Sequence, residues 1–155
     1  MTRKNKSQRI KPIRDLALSR EHTAARLLGN SRKAMLDCQK RLRELAAFRE
    51  EYAQQLRQAG EGGINGSTLQ TFQHYINQLD AAISQQRQQL AQAEDNCLNH
   101  TRHWQEMHRR TRILDKTIHR MQLNEKRIVL RREQREQDDL IQNRHSHPSR
   151  RHKKD

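Results

Sequence analysis

Residues 69–97 read LQTFQHYINQLDAAISQQRQQLAQAEDNC. Counting in sevens from Leu69 gives Ile76, Ile83, Leu90 and Cys97, and three residues after each of the first four come Phe72, Leu79, Gln86 and Ala93. The same count continues through Trp104, Met107, Leu114, Ile118, Met121 and Ile128, interrupted by His100, Thr111 and Glu125. Fourteen of the eighteen a and d positions so defined are apolar in a chain that is only 32% hydrophobic, which marks a coiled-coil seam. A shorter seam precedes it, with Leu28, Met35, Leu42 and Leu56 at a, broken by Arg49. Ala24, Cys38, Leu45, Tyr52 and Ala59 stand at d, broken by Ser31.

The helix breakers divide these seams. The two prolines, Pro12 and Pro148, lie near the ends, and four of five glycines cluster at Gly60, Gly62, Gly63 and Gly66. The spacing predicts helices over about 15–59 and 67–140, the second opened by a capping box of Ser67 with Gln70. At 1.5 Å per residue these would be roughly 68 and 110 Å long. A turn over 60–66 favours an antiparallel arrangement. The expected fold is therefore all-α, an elongated antiparallel two-helix coiled-coil hairpin with a longer second helix. Basic flexible tails are expected over 1–14 and 141–155.

Composition excludes several functions. With 3% aromatic residues in 155, the chain has too little apolar material for an ordinary globular core. No apolar run approaches a membrane span, and MTRKNKSQRIKP has no signal-peptide character, so a cytoplasmic protein is expected. Gly60-Glu-Gly-Gly63 lacks the Lys and Ser/Thr of a phosphate loop, and no catalytic dyad is readable, so neither enzymatic activity nor a cofactor is expected. Cys97, His100 and His103 follow helical spacing, but the first two fall on the seam and Cys38 lies too far along the axis to join them. His145, His147 and His152 are expected to be solvated in the basic tail.

The net charge of +14 is uneven. Residues 1–14 carry +6, 144–155 carry +4 and 102–135 carry +7, whereas 61–101 carry −3. In the expected register, helix one runs out opposite about residue 111. Leu114, Ile118, Met121 and Ile128 would then form an uncovered apolar stripe, flanked by Arg110, Arg112, Arg120, Arg127 and Arg131. Four of the five aromatics, Phe48, Tyr52, Phe72 and Tyr75, flank the turn. Phe48 and Tyr75 occupy g positions beside the seam and, with Leu45, Leu79 and Ala82, form a band suited either to stapling the turn or to recognition.

The order Ala24-Ala-Arg-Leu-Leu-Gly29, Leu42-x-x-Leu45-x-x-Phe48-x-x-x-Tyr52, Gly-rich turn, Phe72-x-x-Tyr75-x-x-x-Leu79-x-x-Ala82 resembles the FliJ family of flagellar type III export proteins. The segment Glu133-Gln134-Arg135-Glu136-Gln137-Asp138-Asp139 is similar to the acidic close of that family. The resemblance implies a non-catalytic component of the export apparatus, likened to the stalk of rotary ATPases. It implies association with the export ATPase hexamer, the cytoplasmic domain of the export gate and export chaperones, and hence a peripheral position at the inner membrane of the flagellar base.

Carried over by position, the gate-binding set is Arg41, Leu45, Phe48, Tyr52, Tyr75, Leu79, Ala82 and Gln86. Arg41 and Gln86 depart from the family pattern, where Gln and His are typical. The ATPase-binding set is expected to be Arg110, Arg112, Leu114, Ile118, Arg120, Met121, Arg127, Ile128 and Arg131. The same pattern would serve a stalk protein of a virulence type III secretion system. A basic hairpin binding nucleic acid is the other alternative, but the bases of the tails are not interleaved with aromatics, four of which flank the turn instead, so no specific nucleic acid is expected.

Overall fold

The computed structural model describes residues 3–146 and consists of two helices, α1 (Lys6–Glu61) and α2 (Gly66–Ser146). The helices pack against each other, and no strand occurs among the described residues. The second is the longer, with 81 residues against 56. None of the described helices is long and apolar enough to cross a membrane. His147, His152 and the rest of the C-terminal basic segment expected beyond Ser146 lie outside the described residues.

The turn is short. Glu61 ends α1, Gly63 takes φ +82°, where a side chain would strain the backbone, and its N–H donates to the Gly60 carbonyl at 3.4 Å. Asn65 caps α2: its Oδ1 accepts from the Thr68 N–H at 2.8 Å, and its carbonyl accepts from the Leu69 N–H. The capping box expected at Ser67 and Gln70 is thus replaced by a cap two residues earlier, because Asn65 supplies a better-placed oxygen.

Among the described residues the chain divides into two compact units, one of residues 19–108 and one of 3–18 with 109–146. Within the first, partners run antiparallel: Glu21 meets His108, Cys38 meets Gln86, Arg49 meets Asp80 and Tyr52 meets Phe72. Ala24, Leu28, Ile83, Cys97 and Met107 are buried, and the remaining a and d residues between 69 and 107 are half-buried or buried. No large side chain among the described residues is wholly buried, since a helix with one neighbour hides only one stripe.

The second unit corrects two expectations. α1 begins at Lys6, so residues 6–14 are helix rather than tail, and Pro12 lies inside it. A proline there costs about 3 kcal/mol, and contacts across to α2 offset it. Asn5 begins the helix: its carbonyl accepts from the Arg9 N–H, and its own N–H donates to Gln8 Oε1 at 3.2 Å. Ser7 is buried, with its N–H and hydroxyl donating to the two Glu125 carboxylate oxygens at 3.0 and 2.7 Å. Arg14 Nε donates to Asp115 Oδ1 at 2.7 Å. Consequently the stripe expected to be uncovered is mostly covered by α1: Ile118 is only 7% exposed, Leu114 and Met121 are half-buried, and only Ile128, at 58%, stays open. At the other end α2 continues through 141–146, beyond the expected limit near 140.

The Ser7 backbone and hydroxyl hydrogen bonds hold the Glu125 carboxyl below its ordinary value, with Lys11 adding to the effect. Because the folded value is depressed, this contribution to stability is present above the ordinary carboxylate range and disappears as pH falls through the lowered folded value. Glu125→Gln should therefore speed amide exchange at Ser7–Arg9 near neutrality and remove that acid dependence. Hydrogen exchange against pH checks both; exchange unchanged in the variant would show that Glu125 does not hold the start of α1.

Candidate protein-interaction site

The unit of residues 19–108 holds the aromatic group. Tyr52 stands at a d position, and its ring centroid lies 6.1 Å from Phe72 at a steep interplanar angle of 64°. The Tyr75 ring leans over the same tyrosine, 5.7 Å away and tilted by 35°. Such offset and edge-on contacts match the quadrupole preference of aromatic rings. Tyr52 and Phe72 are half-buried, whereas Tyr75 is 48% and Phe48 58% exposed. Leu45, Leu79 and Ala82 are half-buried on neighbouring turns, and Arg41 is exposed. The g flank therefore offers two ring surfaces over a supporting layer of aliphatic seam residues.

Gln86 does not belong to that surface. It is 8% exposed, and its amide donates to the Cys38 carbonyl at 3.3 Å. This places it in the seam, where it satisfies its own polarity against the α1 backbone. Arg49, another polar seam residue, reaches Asp80 at an e position, and this carboxylate raises the arginine pKa. Neither residue is an unsatisfied break in the seam.

The expected ATPase-binding set is split by the fold. Arg110, Arg112, Arg120, Arg127 and Arg131 are exposed, as is Ile128. Leu114, Ile118 and Met121 face α1 instead. Asp115 binds Arg14 on this stretch and raises the pKa of that arginine.

One group was missed from the sequence. Trp104 stacks on His108 with ring centroids 5.0 Å apart and an 11° angle, and His108 Nδ1 lies 2.6 Å from Glu21 Oε1. The i, i+4 spacing of Trp104 and His108 is a local signal, but nothing local links it to Glu21, which lies 87 residues away and ahead of the seam read from Ala24. Cys97 is buried, His100 half-buried and His103 exposed, so that run spreads from seam to solvent. Among the described residues no three His, Cys, Asp or Glu side chains come together as a metal site, and both cysteines are free thiols.

A protein-family model described as flagellar FliJ protein matches residues 6–150. The chain belongs to the FliJ family. It is 35% identical over 80 residues to the flagellar FliJ protein of Escherichia coli, covering 52% of this chain and 54% of that relative. It is 32% identical over 83 residues to the flagellar FliJ protein of Salmonella typhi, covering 54% and 56%. The chain thus spans about half the length of the curated FliJ relatives it matches. A solved structure from Chlamydia trachomatis, described as a YscO homolog, shares the fold at 18% identity with a TM-score of 0.50, covering 94% of this chain and 96% of that one.

The geometry separates supporting rings from presented ones. Tyr52→Ala removes a seam residue with two ring contacts and should cost about 1–2 kcal/mol, whereas Phe48→Ala should stay within about 0.5 kcal/mol. Urea unfolding followed by circular dichroism checks this; equal losses would mean that Phe48 is also structural.

Proposed function

We propose that the chain is a component of the flagellar type III export apparatus that acts by contact rather than by catalysis. The observation that carries this reading is the FliJ family match over residues 6–150, falling on a two-helix fold. In this reading the chain works in the cytoplasm, reaches the membrane only through partners and assists the cycling of export chaperones. The export gate's cytoplasmic domain binds the g flank near the turn, with Phe48 and Tyr75 as anchors and Arg41, Leu45, Tyr52, Leu79 and Ala82 around them. Exposed aromatics of this kind are enriched among binding hot spots. Gln86, spent on the Cys38 carbonyl, contributes through the seam.

The export ATPase binds the basic outward face of α2. Arg112, Arg120, Arg127 and Arg131, with Arg110 beside them, steer and register the contact, and Ile128 supplies exposed apolar surface. Leu114, Ile118 and Met121 act from beneath by fixing the helix against α1.

Phe48→Ala and Tyr75→Ala should each weaken gate binding by about 1–3 kcal/mol while leaving the melting curve in place. Titration calorimetry with the gate domain measures the first and circular dichroism the second; normal melting with unchanged affinity would refute the gate assignment.

Truncation after Lys126 retains Glu125 and every contact from α1 to α2 described above. It should impair stimulation of the ATPase without loosening the paired helices. Full stimulation by the truncated chain would move the ATPase contact elsewhere.

A further inference from the structure

The Ser7–Glu125 contact has a hollow on each side of it, both within one compact unit. On one side Gln8 and Lys11 of α1 with Lys126, Val129 and Leu130 of α2 border an open groove of about 610 Å³. Its charges balance, Lys11 and Lys126 against Glu125 and Glu133. On the other side an open hollow of about 450 Å³ is lined by Arg3 and Lys4, just before α1, by Lys6 and Arg9 within it, and by Met121 and Ile128 of α2. Its single acid is Glu125, whose two oxygens already accept from Ser7 at 3.0 and 2.7 Å. The four bases are exposed, and none forms an ion pair among the described residues. Met121 is half-buried and Ile128 58% exposed, so the floor between the bases is open aliphatic surface.

These bases work against the fold. A helix start carries partial positive charge, so acids there raise helix stability and bases lower it, yet α1 has no acid in its first turn. Four like charges around one hollow also repel one another. We infer that the hollow is a docking site for an acidic segment of a partner protein, with carboxylates on either side of one aliphatic side chain. The carboxylates answer Arg3, Lys4, Lys6 and Arg9, and the aliphatic side chain rests on Ile128 and Met121.

Charge and shape select that occupant. The bases line the same hollow as Ile128, so one ligand meets both the charge and the apolar floor. The balanced groove on the other side expresses no such preference. A bilayer surface would not enter a concave site, and a nucleic acid would find no aromatic ring to stack on among the lining residues. The chain's own acids stand at most two in a row, as in Glu50-Glu51, Glu94-Asp95 and Asp138-Asp139, so a second copy is a poorer match for four bases. The α1 bases lie outside the ATPase face proposed above, while Ile128 belongs to both. The inference is therefore tested without the ATPase, so that the two readings fail separately.

Fluorescence anisotropy of the full chain at low salt, with labelled peptides Glu-Glu-Leu-Glu-Glu and Glu-Glu-Ser-Glu-Glu, makes the test. The leucine peptide should bind about fivefold tighter, and Ile128→Ser should remove that difference. Lys4→Gln with Lys6→Gln and Arg9→Gln should weaken leucine-peptide binding about tenfold. Arg26→Gln with Arg32→Gln and Lys33→Gln, an equal loss of charge in the other unit, should weaken it about twofold at most. Circular dichroism verifies the helices of each variant; the first triple removes bases that oppose the α1 start, so α1 should not loosen. Equal binding of the two peptides, a leucine preference that survives Ile128→Ser, or equal effects of the two triple variants would each overturn the inference and leave only the general pull of a +14 chain. Phosphatidylserine vesicles or a single-stranded oligonucleotide that displaced the peptide, and lost affinity in the first triple variant alone, would assign the hollow to a bilayer or a nucleic acid and overturn it as well. So would peptide binding that tightened on Asp138→Asn with Asp139→Asn, which would give the hollow to a second copy.

Discussion

Among the described residues each helix has a single neighbour, so burial is confined to one heptad stripe per helix, and the other properties follow from how that stripe is filled. Ala24, Leu28, Ile83 and Ile118 supply its best-buried apolar points. Because one stripe buries modest area, polar residues within it have to be satisfied rather than tolerated. Arg49 with Asp80, Gln86 with the Cys38 carbonyl and Glu21 with His108 meet that requirement within one unit. Ser7 with Glu125 and Arg14 with Asp115 meet it within the other. Directional bonds of this kind also penalise slipped registers, which an all-leucine seam would permit at little cost.

The Ser7–Glu125 contact joins two tasks. A helix start exposes N–H groups with a partial positive charge, and α1 has no acidic residue in its first turn. The carboxylate that satisfies the Ser7 N–H comes from α2 instead. The beginning of α1 is therefore formed by its own cap at Asn5 and fixed against its neighbour two residues on, by Ser7.

A narrow seam also leaves long outward faces available. Near the turn, Tyr52 and Phe72 are committed inward while Phe48 and Tyr75 are presented outward, so support and presentation fall to different rings. On α2 the outward arginines ride on Leu114, Ile118 and Met121, which are committed to α1. In the function proposed above these faces serve protein export, and the physical division between inward and outward residues says which of them can meet a partner without loss of fold.

The sequence by itself determined the two helices, their antiparallel direction, the unequal lengths and the face of α2 that is covered. The Gly-rich break and an apolar heptad spacing are local signals that need no partner to be read. The aromatic band was legible for the same reason, being a matter of composition and spacing. Where the pairing ends was decided only by the tertiary structure. The a positions of the first three heptads are Ser7, Arg14 and Glu21, which as isolated letters read as the end of a seam. They belong to it because Glu125, Asp115 and His108 stand across from them, and a hydrogen bond between residues more than eighty apart leaves no local trace. The same contacts carried helix back through Pro12 and covered Ile118, turning an expected open stripe into part of the core.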